Sequence, residues 1–365
     1  MKGERERVFR EKREDESYVD YYTEMGDLAP DTERNYNHAW RSLQEFKRTK
    51  GYDLEDIGHQ EAIEFSKFLK QSGGDLEIRY STAELYYYNL CKMVDWLKDH
   101  TDITFNPFTE SIPEGKSPSD LFDYDNTTHK REVRLTELRS KVQSIENPTL
   151  FIIVLTLLKT GLRIGELANL DERDIHLNHP IAEDFDNPRT EIANKPDALY
   201  VDSSISEGEV HNGEKRRDGN KPKSFRMVPI DEELKRALTW YMAMTPPSPS
   251  PANPVFVSEG KVERMTVTTL SRRIIDWAKD AELSEGRKRS DNVNAHWCRH
   301  WFTTTLTRNI GSEEIEVGTV KDYVGALRGD NDSKTIDIYI QGGWGDEEWK
   351  REAYTKNIPK LLTND

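Results

Sequence analysis

The sequence predicts a mainly α protein of two domains, with a small β-sheet confined to the second. Three observations carry this. Apolar residues recur at spacings of three and four through residues 15–108, the period of helices with one buried face. Residues 109–130 (TESIPEGKSPSDLFDYDNTTHK) hold two prolines, a glycine and many small polar residues, the composition of a linker. Within 178–230, the runs Ala198-Leu199-Tyr200-Val201 and Arg226-Met227-Val228-Pro229-Ile230 flank a basic loop and read as two strands that pair across it.

Taken in order, Pro30-Asp31 opens a helix in which Tyr36, Trp40, Leu43 and Phe46 share a face, and Gly51 closes it. A second helix carries Ile63, Phe65, Phe68 and Leu69 and ends at Gly73-Gly74. Ser81-Thr82-Ala83-Glu84 forms a capping box that starts a third, with Leu85, Leu90, Val94 and Leu97. Asn106-Pro107-Phe108 ends this helical domain, because proline stops a helix. The second domain, 131–365, reads as helical to about Leu177, including the apolar stretch 150–158 and the turn Thr160-Gly161-Leu162. Helices return after Asp231, with a short extended Val255-Phe256-Val257 on the way.

The charge balance is acidic: 52 Lys and Arg against 67 Asp and Glu give −15 over 365 residues. Nucleic-acid binders usually carry the opposite sign. A salt-rich, halophilic cytoplasm, where acidic surfaces keep proteins hydrated, is one origin of such an excess. Locally the picture changes. Residues 212–226 (NGEKRRDGNKPKSFR) hold six Lys or Arg and two acids, a net +4, and Arg287-Lys288-Arg289 is a second basic run. Each run is a solvated loop or a phosphate-binding surface, and Lys215, Arg216, Arg217, Arg226, Arg287, Lys288 and Arg289 are the DNA-contact candidates. Two cysteines exclude a disulfide scaffold and a Cys-rich zinc module. The longest apolar run is too short to cross a bilayer, and residues 1–14 lack the apolar stretch of a secretory signal. The expectation is a cytoplasmic protein with no membrane partner.

Three segments carry chemistry. Thr160-Gly161-Leu162-Arg163-Ile164-Gly165-Glu166-Leu167 comes first, His296-Trp297-Cys298-Arg299-His300 second, and Thr335-Ile336-Asp337-Ile338-Tyr339 third. Together, in this order and with Lys221 in the loop between the first two, they resemble the tyrosine recombinase (phage integrase) family of DNA strand-exchange enzymes. The 15–108 bundle resembles that family's core-binding domain and 131–365 its mixed α/β catalytic domain. The resemblance implies site-specific cleavage and rejoining of duplex DNA through a 3′-phosphotyrosine, by a virus, plasmid or genomic-island integrase. It also implies a C-shaped clamp on DNA, a homotetramer in the synapse, and no metal or ATP.

The residue types suit these roles. Cleaving a phosphodiester without a metal requires cationic donors where charge grows on the nonbridging oxygens. Arginine keeps its charge and grips two oxygens with a planar fork, which makes Arg163 and Arg299 the clamp. The alternative for Arg163 is a structural ion pair with Glu166, one turn on. Tyr339 is the nucleophile candidate, with Tyr354 its rival and simple packing beside Ile336 and Ile338 its bland reading. In the family a hairpin lysine protonates the leaving 5′ oxygen, and counting back from Val228-Pro229-Ile230 gives Lys221, with Lys223 second. His296 would orient or deprotonate; no further ligands are spaced to make it a zinc site with His300. One departure stands out. Asp330, in Leu327-Arg328-Gly329-Asp330, occupies the place where the family usually has His or Trp, so it is expected behind the site, held by an arginine or the backbone. The helix at 346–363, with Trp349, Tyr354, Ile358 and Leu361, packs on a neighbouring protomer or on its own domain. The rival functions are a DNA-binding protein of this fold without strand exchange and a type IB topoisomerase-like enzyme.

Overall fold

The computed structural model describes residues 17–26, 28, 30–52, 56–71, 80–101, 103–122, 131–221, 225–284, 292–311, 317–329 and 347–363. The chain divides into two units, Met1–Thr127 and Thr128–Asp365. The protein is mostly helical, with small antiparallel sheets in the second unit. Among the described residues, no helix is long and apolar enough to cross a membrane.

The first unit comprises α1 (Ser17–Met25), α2 (Pro30–Lys50), α3 (His59–Gln71), α4 (Tyr80–His100) and a single turn, α5 (Pro107–Glu110). Its core is aromatic: Phe65 lies 5.4 Å from Phe46, 6.0 Å from Phe108 and 6.3 Å from Tyr87, centroid to centroid. The expected linker begins later than residue 109. Asn106 is fully buried; it caps α5 and its amide donates to the Cys91 carbonyl and to Asp95 Oδ1, both at 2.8 Å. That cap turns the chain back onto α4, and Phe122 is buried in the same core. Residues up to Phe122 therefore belong to the helical unit.

In the second unit, α6 (Leu135–Gln143) precedes α7 (Pro148–Thr160), which is buried from Ile152 to Thr160 and forms the centre of the core. Its apolar residues surround the helix because other elements pack on all sides. After α8 (Ile164–Ala168) come β1 (Ile175–His176), β2 (Ala198–Val201), the two-residue strands β3 (Val210–His211) and β4 (Glu214–Lys215), and β5 (Arg226–Pro229). The two predicted strands pair antiparallel, Ala198 opposite Pro229 and Val201 opposite Arg226. β1 adds to the other edge of β2, so the helical reading through Leu177 gives way to a strand at Ile175–His176. Helices α9 (Glu232–Met244), α10 (Val267–Asp280), α11 (Ala295–Gly311), α12 (Val317–Arg328) and α13 (Glu347–Asn357) complete the unit.

The C-terminal helix packs on its own unit. Ala353, Tyr354 and Ile358 are buried with Phe302, Leu306, Ile310, Val320, Tyr323, Val324 and Leu327, and Leu361 joins the central core. A buried lysine fastens the tail. Lys159, fully enclosed, contacts Asp231 at 2.5 Å and Glu233 at 2.7 Å and donates to the Pro359 carbonyl at 2.8 Å. Glu233 in turn accepts from the backbone N–H groups of Leu361, Leu362 and Thr363.

Between α7 and α8 the chain reverses at Gly161, whose φ of +62° is left-handed. A Cβ there would lie 2.4 Å from Phe302 Cδ1, and the fully buried Phe302 cannot swing aside. Gly161→Ala therefore combines a left-handed backbone penalty with overpacking, and should cost roughly 2–5 kcal/mol. Denaturant unfolding of the two proteins measures it; a loss below about 1 kcal/mol would mean that the turn relaxes.

Candidate active site

Arg163 owes its place to the end of one helix and the start of the next. It is the residue just before α8, in extended conformation, and Glu166 reaches back to accept from its backbone N–H at 2.7 Å and from its Nη1 at 2.8 Å. The ion pair that the sequence offered as an alternative role thus exists. It orients an arginine that stays about a quarter exposed.

The Glu166 carboxylate is itself buried and shared. Arg226, from β5, donates to both its oxygens, Nη1 to Oε1 at 3.0 Å and Nη2 to Oε2 at 2.6 Å. Burial alone would raise the Glu166 pKa, but the hydrogen bonds and charge of Arg226 and Arg163 outweigh it and hold the carboxyl below its ordinary 4.5.

Three arginines then meet the end of α12. Arg226 Nε donates to the Leu327 carbonyl at 2.6 Å, and Arg299 Nη2 to the Arg328 carbonyl at 2.7 Å. Arg163 reaches Arg328 at 3.5 Å and Gly329 at 3.2 Å. These carbonyls sit at the negative end of a helix, where cations are favoured. Gly329 leaves the helix with φ +67°, the left-handed exit that glycine allows. Arg299 also donates to Gly161 at 2.6 Å, tying the α7–α8 turn to α11.

Arg299 projects from α11 beside the buried Trp297 and Cys298, while His296 and His300 are exposed. Asn294 caps this helix by accepting from Trp297 N–H at 3.0 Å. Lys221 is exposed on a loop held close to α8. Its neighbour Asn220 donates to the Asp202 carbonyl at 2.6 Å and accepts from Asn169, the residue that ends α8, at 3.0 Å. A Cβ on Gly165 would stand 3.1 Å from the Gly219 carbonyl, so a glycine in α8 lets this loop approach. Arg163 and Arg299 are thus brought together at one carbonyl, and the Lys221 loop is bound to the helix that Arg163 starts.

Three sequence expectations are corrected. Arg216 is not a solvent-facing DNA contact: its side chain is fully enclosed, with Nη2 2.6 Å from Asp171 and Glu214 close by. Arg226 is likewise buried, on Glu166 and Leu327. Both were read as members of a basic loop, yet strand alternation carries the signal, since Arg226 shares its face with the buried Val228. Tyr354 is no rival nucleophile. It is fully buried, its hydroxyl donates to the Lys159 carbonyl at 2.8 Å, and burial pushes its pKa well above 10. Lys215 and Arg217 remain exposed. Lys223, Arg287, Lys288, Arg289, Asp330 and Tyr339 lie outside the described residues. Sequence reasoning missed Arg264, which grips Asp171 and Glu214 beside Arg216, and the Lys159 cluster.

Acid should loosen this region. A carboxyl held below its unfolded value contributes stability that is complete above about pH 4.5 and is lost as pH falls through the folded value. Burial opposes the shift at Glu214 and Glu233 too, but Arg264 and Lys159 hold both below 4.5, so they add to the same slope. Glu166→Gln should be less stable at neutral pH, with a shallower stability loss between about pH 5 and 3 than the parent. Equal slopes in urea titrations would assign the acid sensitivity to other groups.

No protein-family model and no curated protein matches the chain. Solved structures do. The Tn1549 transposon integrase in complex with transposon right end DNA is 18% identical, over 93% of this chain and 98% of that one, with a TM-score of 0.62. The same integrase in complex with a circular intermediate DNA gives 18% and a TM-score of 0.63 over the same shares. A lambda integrase dimer bound to a COC′ core site is 15% identical, over 90% of this chain and 78% of that one, with a TM-score of 0.54. At these identities the likeness establishes architecture alone: the chain has the fold of these integrases.

Proposed function

We propose that this chain is a site-specific DNA recombinase, an integrase of a mobile element, that cleaves and rejoins duplex DNA through a 3′-phosphotyrosine at Tyr339. The observation that carries the reading is the meeting of Arg163 and Arg299 at the Arg328 carbonyl. Two cations from separate helices converge there, at the last turn before the sequence segment holding Tyr339. The DNA named in the structures of similar fold supports the same reading.

In this mechanism Arg163 and Arg299 hold the nonbridging oxygens of the scissile phosphate and stabilise the charge that grows on them. The Tyr339 oxygen attacks phosphorus, and its proton passes toward His296. Lys221 gives a proton to the departing 5′ oxygen. The phosphotyrosine conserves the energy of the broken bond, so rejoining reverses the same steps without metal or ATP. Lys215 and Arg217 contact backbone phosphates, and four protomers assemble on paired sites. Asp330 acts from behind the site. The acidic excess is an adaptation to a salty cytoplasm, with the acids on faces turned away from DNA.

Tyr339→Phe should abolish covalent attachment to DNA and leave binding intact, because only the phenolic oxygen is lost. Denaturing gels of trapped adduct against gel-shift binding test this; an adduct from the Phe variant would move the nucleophile elsewhere. Arg163→Ala or Arg299→Ala, compared at equal folded fraction, should slow cleavage by roughly 3–4 kcal/mol of barrier, with binding reduced far less. Equal losses in both would make these residues anchors only. Fold and cleavage should also persist from about 0.1 M to above 1 M KCl, where the Debye length is about 3 Å and ordinary DNA binding weakens. Full activity at low salt with loss of binding near 1 M would reject the salt adaptation and leave the recombinase reading standing.

A further inference from the structure

Arg226 lies deeper than Arg163, with only about 5% of its side chain exposed. Its three nitrogens meet three acceptors at once: the Leu327 carbonyl and the two Glu166 oxygens. Glu166 passes the constraint on to both the backbone N–H and the guanidinium of Arg163. The end of α12 and the start of α8 are thus fixed to each other through one planar group.

We propose that Arg226 is a positioning residue, which sets Arg163 through Glu166 and sets the last turn of α12 directly, so that clamp and helix end keep one register. This rests on the recombinase reading for its effect on cleavage, though not for its effect on structure. Lysine cannot substitute. It offers one nitrogen where the fork of an arginine serves three acceptors in a fixed plane. Without the fork, Glu166 is left to Arg163 alone and can draw that guanidinium away from where a phosphate would sit. The Leu327 carbonyl loses its partner in the same event. A displacement of about 1 Å at a reacting centre is enough to cost about 100-fold in rate.

The test is Arg226→Lys in the full chain, which keeps a charge beside Glu166. Four readouts are needed: thermal unfolding, DNA affinity, single-turnover covalent adduct formation on a nicked trapping substrate, and hydrogen exchange by mass spectrometry. The expected result is affinity within about threefold of the parent and adduct formation slower by about 100-fold. Exchange should be about tenfold faster at the Arg163 amide and over Ala326–Gly329, with α7 unchanged. Parental adduct rate with parental exchange at those amides overturns the proposal. So does a rate loss that disappears when the proteins are compared at equal folded fraction, since that marks mere stability. A parent chain that forms no adduct at all sinks the recombinase reading, and the exchange data alone then decide for or against the coupling. If Arg226→Lys does not fold, Arg226→Gln is read instead, which leaves Glu166 and its bond to the Arg163 amide in place. Faster exchange at the Arg163 amide in that variant supports the coupling, and unchanged exchange rejects it.

Discussion

The second unit is organised around a carboxylate that two arginines share. Glu166 is almost fully enclosed, and an enclosed carboxylate without partners would cost several kcal/mol. Arg163 on one side and Arg226 on the other supply the compensation. Because those arginines also reach the carbonyls of Leu327, Arg328 and Gly329, neutralising Glu166 and capping α12 are one arrangement. Loss of any member leaves another polar group stranded. Such groups are expected to respond as a unit, and their individual effects will not add.

The same logic recurs twice. Asp171 lies between Arg216 and Arg264, and Lys159 lies between Asp231 and Glu233. In each case a charge has been taken inside with opposite charges around it, and each cluster ties segments far apart in the chain. Apolar packing fills the volume of the unit, around α7. The buried ions specify which loop meets which helix, because an ion of the wrong sign or in the wrong place is penalised far more heavily than a misplaced methyl group. For a candidate site assembled from α8, a loop and the start of α11, such specification matters more than added stability.

Much of this was legible in the sequence. The helices of the first unit followed from three- and four-residue spacing, and the pairing of 198–201 with 226–229 from β-rich runs around a loop. Arg163 and Arg299 stand out in the sequence by their motifs, and the structure brings them to one carbonyl. What was not legible has a common cause. Arg216 and Arg226 sit in a run that is basic by composition, and composition does not report burial. Whether an arginine faces water or a carboxylate depends on residues such as Asp171 and Glu166, tens of positions away. Tyr354 fails as a nucleophile for the same reason, since its fate depends on the Lys159 carbonyl nearly two hundred residues earlier. The linker was over-extended because a polar composition hid Phe122, whose place in the core depends on the turn at Asn106.

The Lys159 cluster also sets an order of events in the making of the protein. Lys159 and the Pro359 carbonyl are 200 residues apart, and Glu233 waits for the amides of residues 361–363. A ribosome adding roughly 5–20 residues per second needs about 10–40 s to cover that distance. Through that interval the second unit carries a cluster that already holds Asp231 and Glu233 but lacks its last members, the Pro359 carbonyl and the amides of residues 361–363. The first unit, a compact unit of its own, can form long before. During synthesis the first unit can therefore be finished while the second, which bears Arg163 and Arg299, is still open. A chain released short of Pro359 leaves the Lys159 cluster incomplete, and would be a substrate for proteases and chaperones.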